Sequence, residues 1–190
     1  VSAGLLTDVE EALKNDGITY QVFDEIEPNP STDTCYKGYE MAKEMGVGAL
    51  LAVGGGSPMD VAKAIAVLMT NGGNLDEYGG VDKFENDPLP FLAIPTTAGT
   101  GSEVTTFSVI TIRARNYKMT IVSTRILPRV AILDPVVLKT VPAHVAAACG
   151  MDALTHAIES YINLVASPAT DAFGAEAMRL IGKYLRKYVA

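Results

Sequence analysis

Residues 49–53 read Ala-Leu-Leu-Ala-Val, with no polar side chain, and the next five are Gly54, Gly55, Gly56, Ser57 and Pro58. A short apolar run of this kind is the mark of a strand buried on both faces, which occurs in parallel sheets covered by helices. The glycines follow without a break, and a helical stretch then runs to about Thr70 before Asn71, Gly72 and Gly73 close it. Ser57 is a natural N-cap and Pro58 suits the first helical position. Strand, glycine turn and helix together are the unit from which parallel α/β folds are assembled.

The same alternation continues along the chain. Leu5, Leu6, Val9, Ala12 and Leu13 fall on one face of a helix that should stop at Asn15, Asp16 and Gly17. Residues 18–23 alternate as a strand does, with Ile18, Tyr20 and Val22 on one side. Pro28 and Pro30 make residues 27–30 a loop, and Ser31 or Thr32 caps a helix ending near Gly46. Residues 91–94 read as a strand ending at Pro95. Residues 104–112 and 119–122 read as two strands of a hairpin, and residues 130–133 as a further strand. From Pro142 onward only helical signals remain, over 145–149, 151–161 and 168–189. An α/β domain over residues 1–140 is therefore expected to lead into helices over 141–190.

Composition narrows the function classes. With 48% hydrophobic and 19% charged residues, the chain can bury a core and is not disordered. A net charge of -7 repels phosphate backbones and argues against nucleic acid as a partner. Every long apolar stretch is interrupted by Gly, Pro or charge, so none is expected to span a membrane. With no secretory signal pattern, the cytoplasm is the default location. The two cysteines, Cys35 and Cys149, read as buried thiols in a reducing compartment.

Three stretches carry chemistry. The turn at Gly54, Gly55, Gly56 and Ser57 lets a ligand approach the backbone, and the helix start behind it offers N–H groups to a pyrophosphate. It matches neither G-x-G-x-x-G nor a P-loop, and a tight βα turn is the plain alternative. The second stretch, residues 95–105, packs Thr96, Thr97, Thr100 and Thr105 with glycines directly after an apolar strand, where open α/β sheets bind ligands. It suits a ribose or a nicotinamide ring; a polar glycine-rich loop is the alternative. The third stretch places Asp152 and His156 four apart on a helix, on one face, as a pair of donors for Fe²⁺, Zn²⁺ or Mn²⁺. The alternative is an Asp152 that caps the helix and an ordinary helical His156.

Taken in order, GGGSPMDVAKAI at 54–65, PTTAGTGSEVT at 95–105 and GMDALTHAIESY at 150–161 resemble the iron-containing (group III) alcohol dehydrogenase family. The segments EPNP at 27–30 and LPRVAILDP at 127–135 fit as well, and the texture is similar to the 1,3-propanediol and lactaldehyde reductase branch. The resemblance implies a parallel-sheet nucleotide-binding α/β domain, incomplete at its N-terminus, followed by the first helices of an all-helical metal-binding domain. It implies a reversible oxidation of a small alcohol or diol to an aldehyde or ketone, with NAD or NADP and with Fe²⁺ or Zn²⁺ as Lewis acid.

Carried over by position, Gly54, Gly55, Gly56 and Ser57 would hold the pyrophosphate and Asn29 would lie near the adenosine. Thr96, Thr97, Thr100 and Thr105 would line the ribose and nicotinamide, Lys118 would reach the ribose or phosphates, and Leu138 would pack by the adenosine. Asp152 and His156 would be metal ligands, and Phe107 would face the substrate pocket. No side-chain nucleophile is required, and none is assigned to Ser57, Ser102 or Cys149.

The family's metal site takes one Asp and three His, and this sequence has only His144 and His156. His144 is expected at the surface or at a helix start. Relative to the family the chain is expected to be truncated at both ends. It should lack a strand before the first helix that helps select NAD over NADP, and the helical region bearing two further ligands. Weak or absent turnover by the isolated chain follows, as does a homo-oligomer that covers exposed apolar surface. Two competing readings remain. One is a non-catalytic nucleotide-binding or oligomerising fragment of such an enzyme. The other is the related chemistry of glycerol dehydrogenases and dehydroquinate synthases, against which the GMDALTHA form argues.

Overall fold

The computed structural model describes residue 4 and residues 6–190, so Leu5 of the first helical face lies outside the described residues. Helix α1 (Thr7–Asn15) ends where expected, and Gly17 takes φ +68°. Residues 18–23 form no strand. Among the described residues no strand pairs with them, and Ile18 is 51% exposed. Alternation marks a pleated face but cannot supply the neighbour that a strand needs. Helix α2 (Thr32–Met45) is capped by Ser31, whose Oγ accepts from the Thr34 N–H, and it ends at Gly46 with φ +65°.

Strand β1 (Leu50–Gly54) leads into α3 (Gly56–Asn71), which closes at Gly72. Short β2 (Gly80–Val81) and then β3 (Phe91–Pro95) follow. β4 (Phe107–Ile112) and β5 (Tyr117–Val122) form the expected antiparallel hairpin, with Ile110 opposite Met119. β6 (Val130–Ala131) completes a parallel sheet in the order β1-β3-β6. A second sheet, β2-β5-β4, pairs β2 parallel to β5. The hairpin is shorter than expected, because residues 102–104 form a 3₁₀ turn rather than strand. β1 is less covered than a central strand would be. It lies at the edge of its sheet, and Leu51 is 38% exposed.

The core is organised by α3. Nine of its residues are buried, from Met59 to Leu68 on every side of the helix. Met59 and Ala62 pack with Ala52, Phe91 and Ala93 of the parallel sheet. Val61, Ala64, Ile65, Val67 and Leu68 pack with Cys35, Ile110, Ile112, Met119 and Ile121 of α2 and the second sheet. A helix with elements on both sides must be apolar all round, which accounts for its sequence. Each large apolar side chain buried this way contributes roughly 1.5–3 kcal/mol.

The described residues fall into two compact units, one of residues 1–95 and 102–134, the other of residues 96–101 and 135–190. The second unit is built on α4 (Ala143–Ile162) and α5 (Pro168–Val189). The two helices expected over 145–161 are one, running straight through Gly150. That glycine serves close packing rather than termination. A Cβ there would meet Leu185 of α5, while Gly174 of α5 lies under the Ala157 carbonyl and Ser160 of α4. The pairing of 150 with 185 and 157 with 174 makes the helices antiparallel. Ser167 and Thr170 form a reciprocal capping box at the start of α5.

Candidate functional site

The glycine turn leaves β1 at its carboxyl end. In the register of the parallel sheet Gly54 stands opposite Pro95, so the chain exits β1 and β3 at one edge of the sheet. Gly54 has φ +152°, and a Cβ on it would lie 2.7 Å from Pro58 Cγ, so no other residue fits. The helix begins earlier than expected. Gly55 is the N-cap, Gly56 opens α3, Ser57 is its second residue and Pro58 its third. Pro is tolerated throughout the first turn, where N–H groups have no intrahelical acceptor, so it does not fix the start at its own position. No side chain caps this helix. Its N-terminal N–H groups and its positive dipole end are therefore open to an anion.

The threonine-rich loop divides between the two units. In the first unit, its return to the sheet is held by Lys63, which is fully buried in α3. The three hydrogens of the ammonium are shared among four oxygens, Phe107 O at 2.7 Å, Thr105 O at 2.9 Å, Ser102 Oγ at 3.1 Å and Thr105 Oγ1 at 3.2 Å. Ser102 in turn donates to Asp60 Oδ1 at 2.8 Å, and Asp60 Oδ2 accepts from the Val109 N–H. Burial pushes the Lys63 ammonium down to about 8 against the pull of Asp60 and Glu103. Burial likewise pushes the Asp60 carboxyl up, opposed by the Ser102 hydrogen bond and by Lys63. Ser102 is no nucleophile, since it is 5% exposed and its hydrogen is committed to Asp60. Phe107, at the start of β4, is 49% exposed.

Also in the first unit, Asn29 stands in the left-handed region at φ +54°. Lys118 of β5 donates to its Oδ1 at 2.7 Å, so the structure brings these two candidate residues together. Glu27 secures the loop by accepting from the Ser31 N–H, Ser31 Oγ, Thr34 Oγ1 and Arg113. Burial pushes its carboxyl up, but the hydrogen bonds from Thr34, Ser31 and the backbone outweigh this and hold it at about 2.

In the second unit, Thr96 is buried and Thr97 and Thr100 are half-buried. Gly99 lies against α4, where a Cβ would sit 2.7 Å from the Cys149 carbonyl carbon. The carbonyl of Gly99 faces His156 Nδ1 at 3.2 Å. A carbonyl only accepts, so this bond places the hydrogen on Nδ1 and leaves the lone pair of the neutral imidazole on Nε2. Nε2 lies 3.7 Å from Asp152 Oδ1, too far for a hydrogen bond, with both side chains half-exposed. Two acceptors thus face one another. A cation bound at about 2.1 Å from each would hold them roughly 3.0–3.4 Å apart, so small rotamer changes close the pair on a metal.

A histidine oriented by a backbone carbonyl through its other nitrogen is the usual support of a metal ligand. Asp152 is the tenth residue of α4 and cannot be its cap. His144 is exposed at the start of the same helix. Among the described residues no group of three or more His, Cys, Asp or Glu converges. Leu138 offers its carbonyl to Tyr188 Oη at 2.9 Å. Of the cysteines, Cys35 is buried, with its thiol pushed up chiefly by burial, whereas Cys149 is only half-buried, contrary to expectation.

Sequence reading missed Lys63, Asp60 and Gly99. The signal for the first two was present: a Lys three residues after an Asp, inside a helix otherwise apolar all round.

A mixed α/β fold with a parallel sheet, leading into paired helices, places the chain among the α/β enzymes that carry ligand loops at the carboxyl edge of the sheet. The family model for iron-containing alcohol dehydrogenase matches residues 1–135, and that for the C-terminal region of the Fe-containing alcohol dehydrogenase family matches residues 146–190. The chain belongs to the iron-containing alcohol dehydrogenase family. It is 43% identical over 189 residues to the NAD-dependent methanol dehydrogenase of Bacillus methanolicus, covering 100% of this chain and 50% of that protein. It is 44% identical over 178 residues to the 1,3-propanediol dehydrogenase of Citrobacter freundii, covering 94% and 46%. The crystal structure of a 1,3-propanediol oxidoreductase superposes with a TM-score of 0.95 at 41% identity, covering 98% of this chain and 49% of that one. The chain thus spans about half the length of the relatives it matches. Among the described residues no helix is long and apolar enough to cross a membrane.

Proposed function

We propose that this chain carries the dinucleotide-binding part and two metal donors of an NAD-linked alcohol dehydrogenase acting on a small alcohol or diol. The observation that carries this reading is the pairing of Asp152 Oδ1 with the free nitrogen of a His156 held by Gly99. The uncapped helix start behind Gly54, Gly55, Gly56 and Ser57 supports a pyrophosphate site. NAD is favoured over NADP, and iron over zinc, by the family and by the name of the methanol dehydrogenase relative. Asp152 and His156 would hold a metal ion, which would supply Lewis-acid polarisation of the alcohol oxygen.

The chain's own residues bind and orient. The helix start takes the phosphates, the Asn29–Lys118 pair offers polar groups to the adenosine or ribose, and Thr105 offers its hydroxyl to the dinucleotide. Two protein donors hold a metal weakly, so turnover depends on further donors beyond this pair.

A NADH titration followed by fluorescence, paired with Zn²⁺ titration, tests the reading. Gly55→Asp places a carboxylate at the phosphate cradle, and like charges in contact cost several kcal/mol, so NADH affinity is expected to fall at least about 100-fold. Asp152→Ala is expected to remove Zn²⁺ binding and leave NADH binding in place. Unchanged NADH affinity in Gly55→Asp would sink the phosphate assignment. Unchanged Zn²⁺ affinity in Asp152→Ala would sink the metal assignment.

A further inference from the structure

The contact between Lys63 and Thr105 does more than satisfy a buried charge. An ammonium has hydrogens to give and no lone pair to receive one. Three hydrogens face four oxygens, so Thr105 Oγ1, the longest contact at 3.2 Å from Nζ, shares one of them; beside a positive charge it presents its lone pair, and its own hydroxyl hydrogen points elsewhere. Among the described residues no protein group accepts that hydrogen. Thr105 is half-buried, so the hydroxyl can be reached from solvent. Lys63 cannot swing away to release it, because Phe107 O, Thr105 O and Ser102 Oγ hold the same ammonium from other directions.

We propose that Lys63 is a positioning residue for the cofactor: it commits the Thr105 hydroxyl to donate outward, to an oxygen acceptor of the bound dinucleotide. The proposal rests on the dinucleotide-binding reading above and adds to it a residue that touches no ligand. It also explains why a charge is kept inside an otherwise apolar helix, at the desolvation cost that burial brings.

The arrangement has a signature that packing alone would not produce. Burial brings the Lys63 ammonium down to about 8. The titratable groups that act on it are Asp60 from α3 itself and Glu103 from the 102–104 turn, while β4 presents a backbone carbonyl. Once the proton is lost, the amine has a lone pair and the Thr105 hydroxyl can donate inward. The outward donor is then lost although every side chain is still in place.

The test is the NADH dissociation constant of the full 190-residue chain, measured from about pH 6.5 to about pH 9.5, for the wild type, Thr105→Val and Thr105→Ser. Lys63 is left unsubstituted so that the fold is not put at risk, and thermal unfolding of each variant is recorded alongside. One hydrogen bond of about 1 kcal/mol corresponds to roughly five-fold in affinity. Wild-type affinity is expected to weaken by about that factor as pH rises through the Lys63 titration. Thr105→Val is expected to be weaker by the same factor at low pH and flat across the range, and Thr105→Ser to restore both the affinity and the step. A Thr105→Val variant that keeps the pH step, or binds as tightly as the wild type, overturns the proposal while leaving the dinucleotide reading intact. A wild type that binds NADH without a step does the same. A wild type that binds no NADH at any pH removes the dinucleotide reading, and the proposal with it.

Discussion

Lys63→Met is expected to lower the stability of the first unit by about 3–5 kcal/mol, the penalty typical of breaking a buried charged network by removing one partner. Met matches Lys in length and leaves no large cavity, so the loss isolates the polar role. The four oxygens that now share the three hydrogens of Nζ would be left to a thioether. Asp60 would lose the positive charge that opposes its desolvation. For a unit of this size each kcal/mol is worth a few degrees, so the midpoint should fall by roughly 10–20 °C.

The sign of the pH dependence is a second check. The folded-state pKa of Lys63 lies below the unfolded value, so the unfolded chain holds more protons between about 8 and 10.5. Wild-type stability should therefore rise with pH through that window relative to Lys63→Met, and the gap between the two should widen. Denaturant unfolding at neutral and alkaline pH measures both effects. A variant with an unchanged midpoint would show that the ammonium contributes nothing net to the fold.

Much of this architecture was legible in the sequence, and the reason is local. The apolar run at 49–53, the glycines behind it and the Asn71-Gly72-Gly73 stop are each set by near neighbours, and β1, the body of α3 and its end appear where those residues place them, although α3 opens at Gly56 rather than at Pro58. The hairpin of β4 and β5 and the cap at Ser31 were readable for the same reason. What failed was set by partners distant in sequence. Residues 18–23 carry the alternation of a strand and find no strand to pair with among the described residues. Gly150 looks like a helix stop until Leu185 is seen to occupy the space of its missing side chain. Val104 continues a β-like run, yet Lys63, some forty residues earlier, gathers the segment just before β4 into a turn. The helical spacing of Asp152 and His156 was visible, but the carbonyl that decides which imidazole nitrogen is free belongs to Gly99, on another segment. Sequence reading thus found donors and glycine turns, and missed the groups that orient them.

Gly99 is where that orientation can be tested most directly. Its Cα faces the backbone of Cys149 in the middle of α4, and an added Cβ would sit 2.9 Å from the Cys149 Cα. A mid-helix backbone cannot retreat as a flexible side chain can, so in Gly99→Ala the loop must move instead. Overpacking of this kind costs about 1–3 kcal/mol. The larger effect falls on His156, whose Nδ1 would lose the carbonyl that fixes its tautomer and ring plane. Loss of such a supporting contact typically weakens a metal site about 10–100-fold. The chain has only two histidines, which makes the measurement clean: ring resonances of His156 report Zn²⁺ binding, and those of exposed His144 serve as the internal control. Ala98→Ser, an exposed change one residue away, should leave Zn²⁺ affinity unchanged. A folded Gly99→Ala protein with wild-type Zn²⁺ affinity would show that the helix alone poises His156, and that the loop's carbonyl is a bystander.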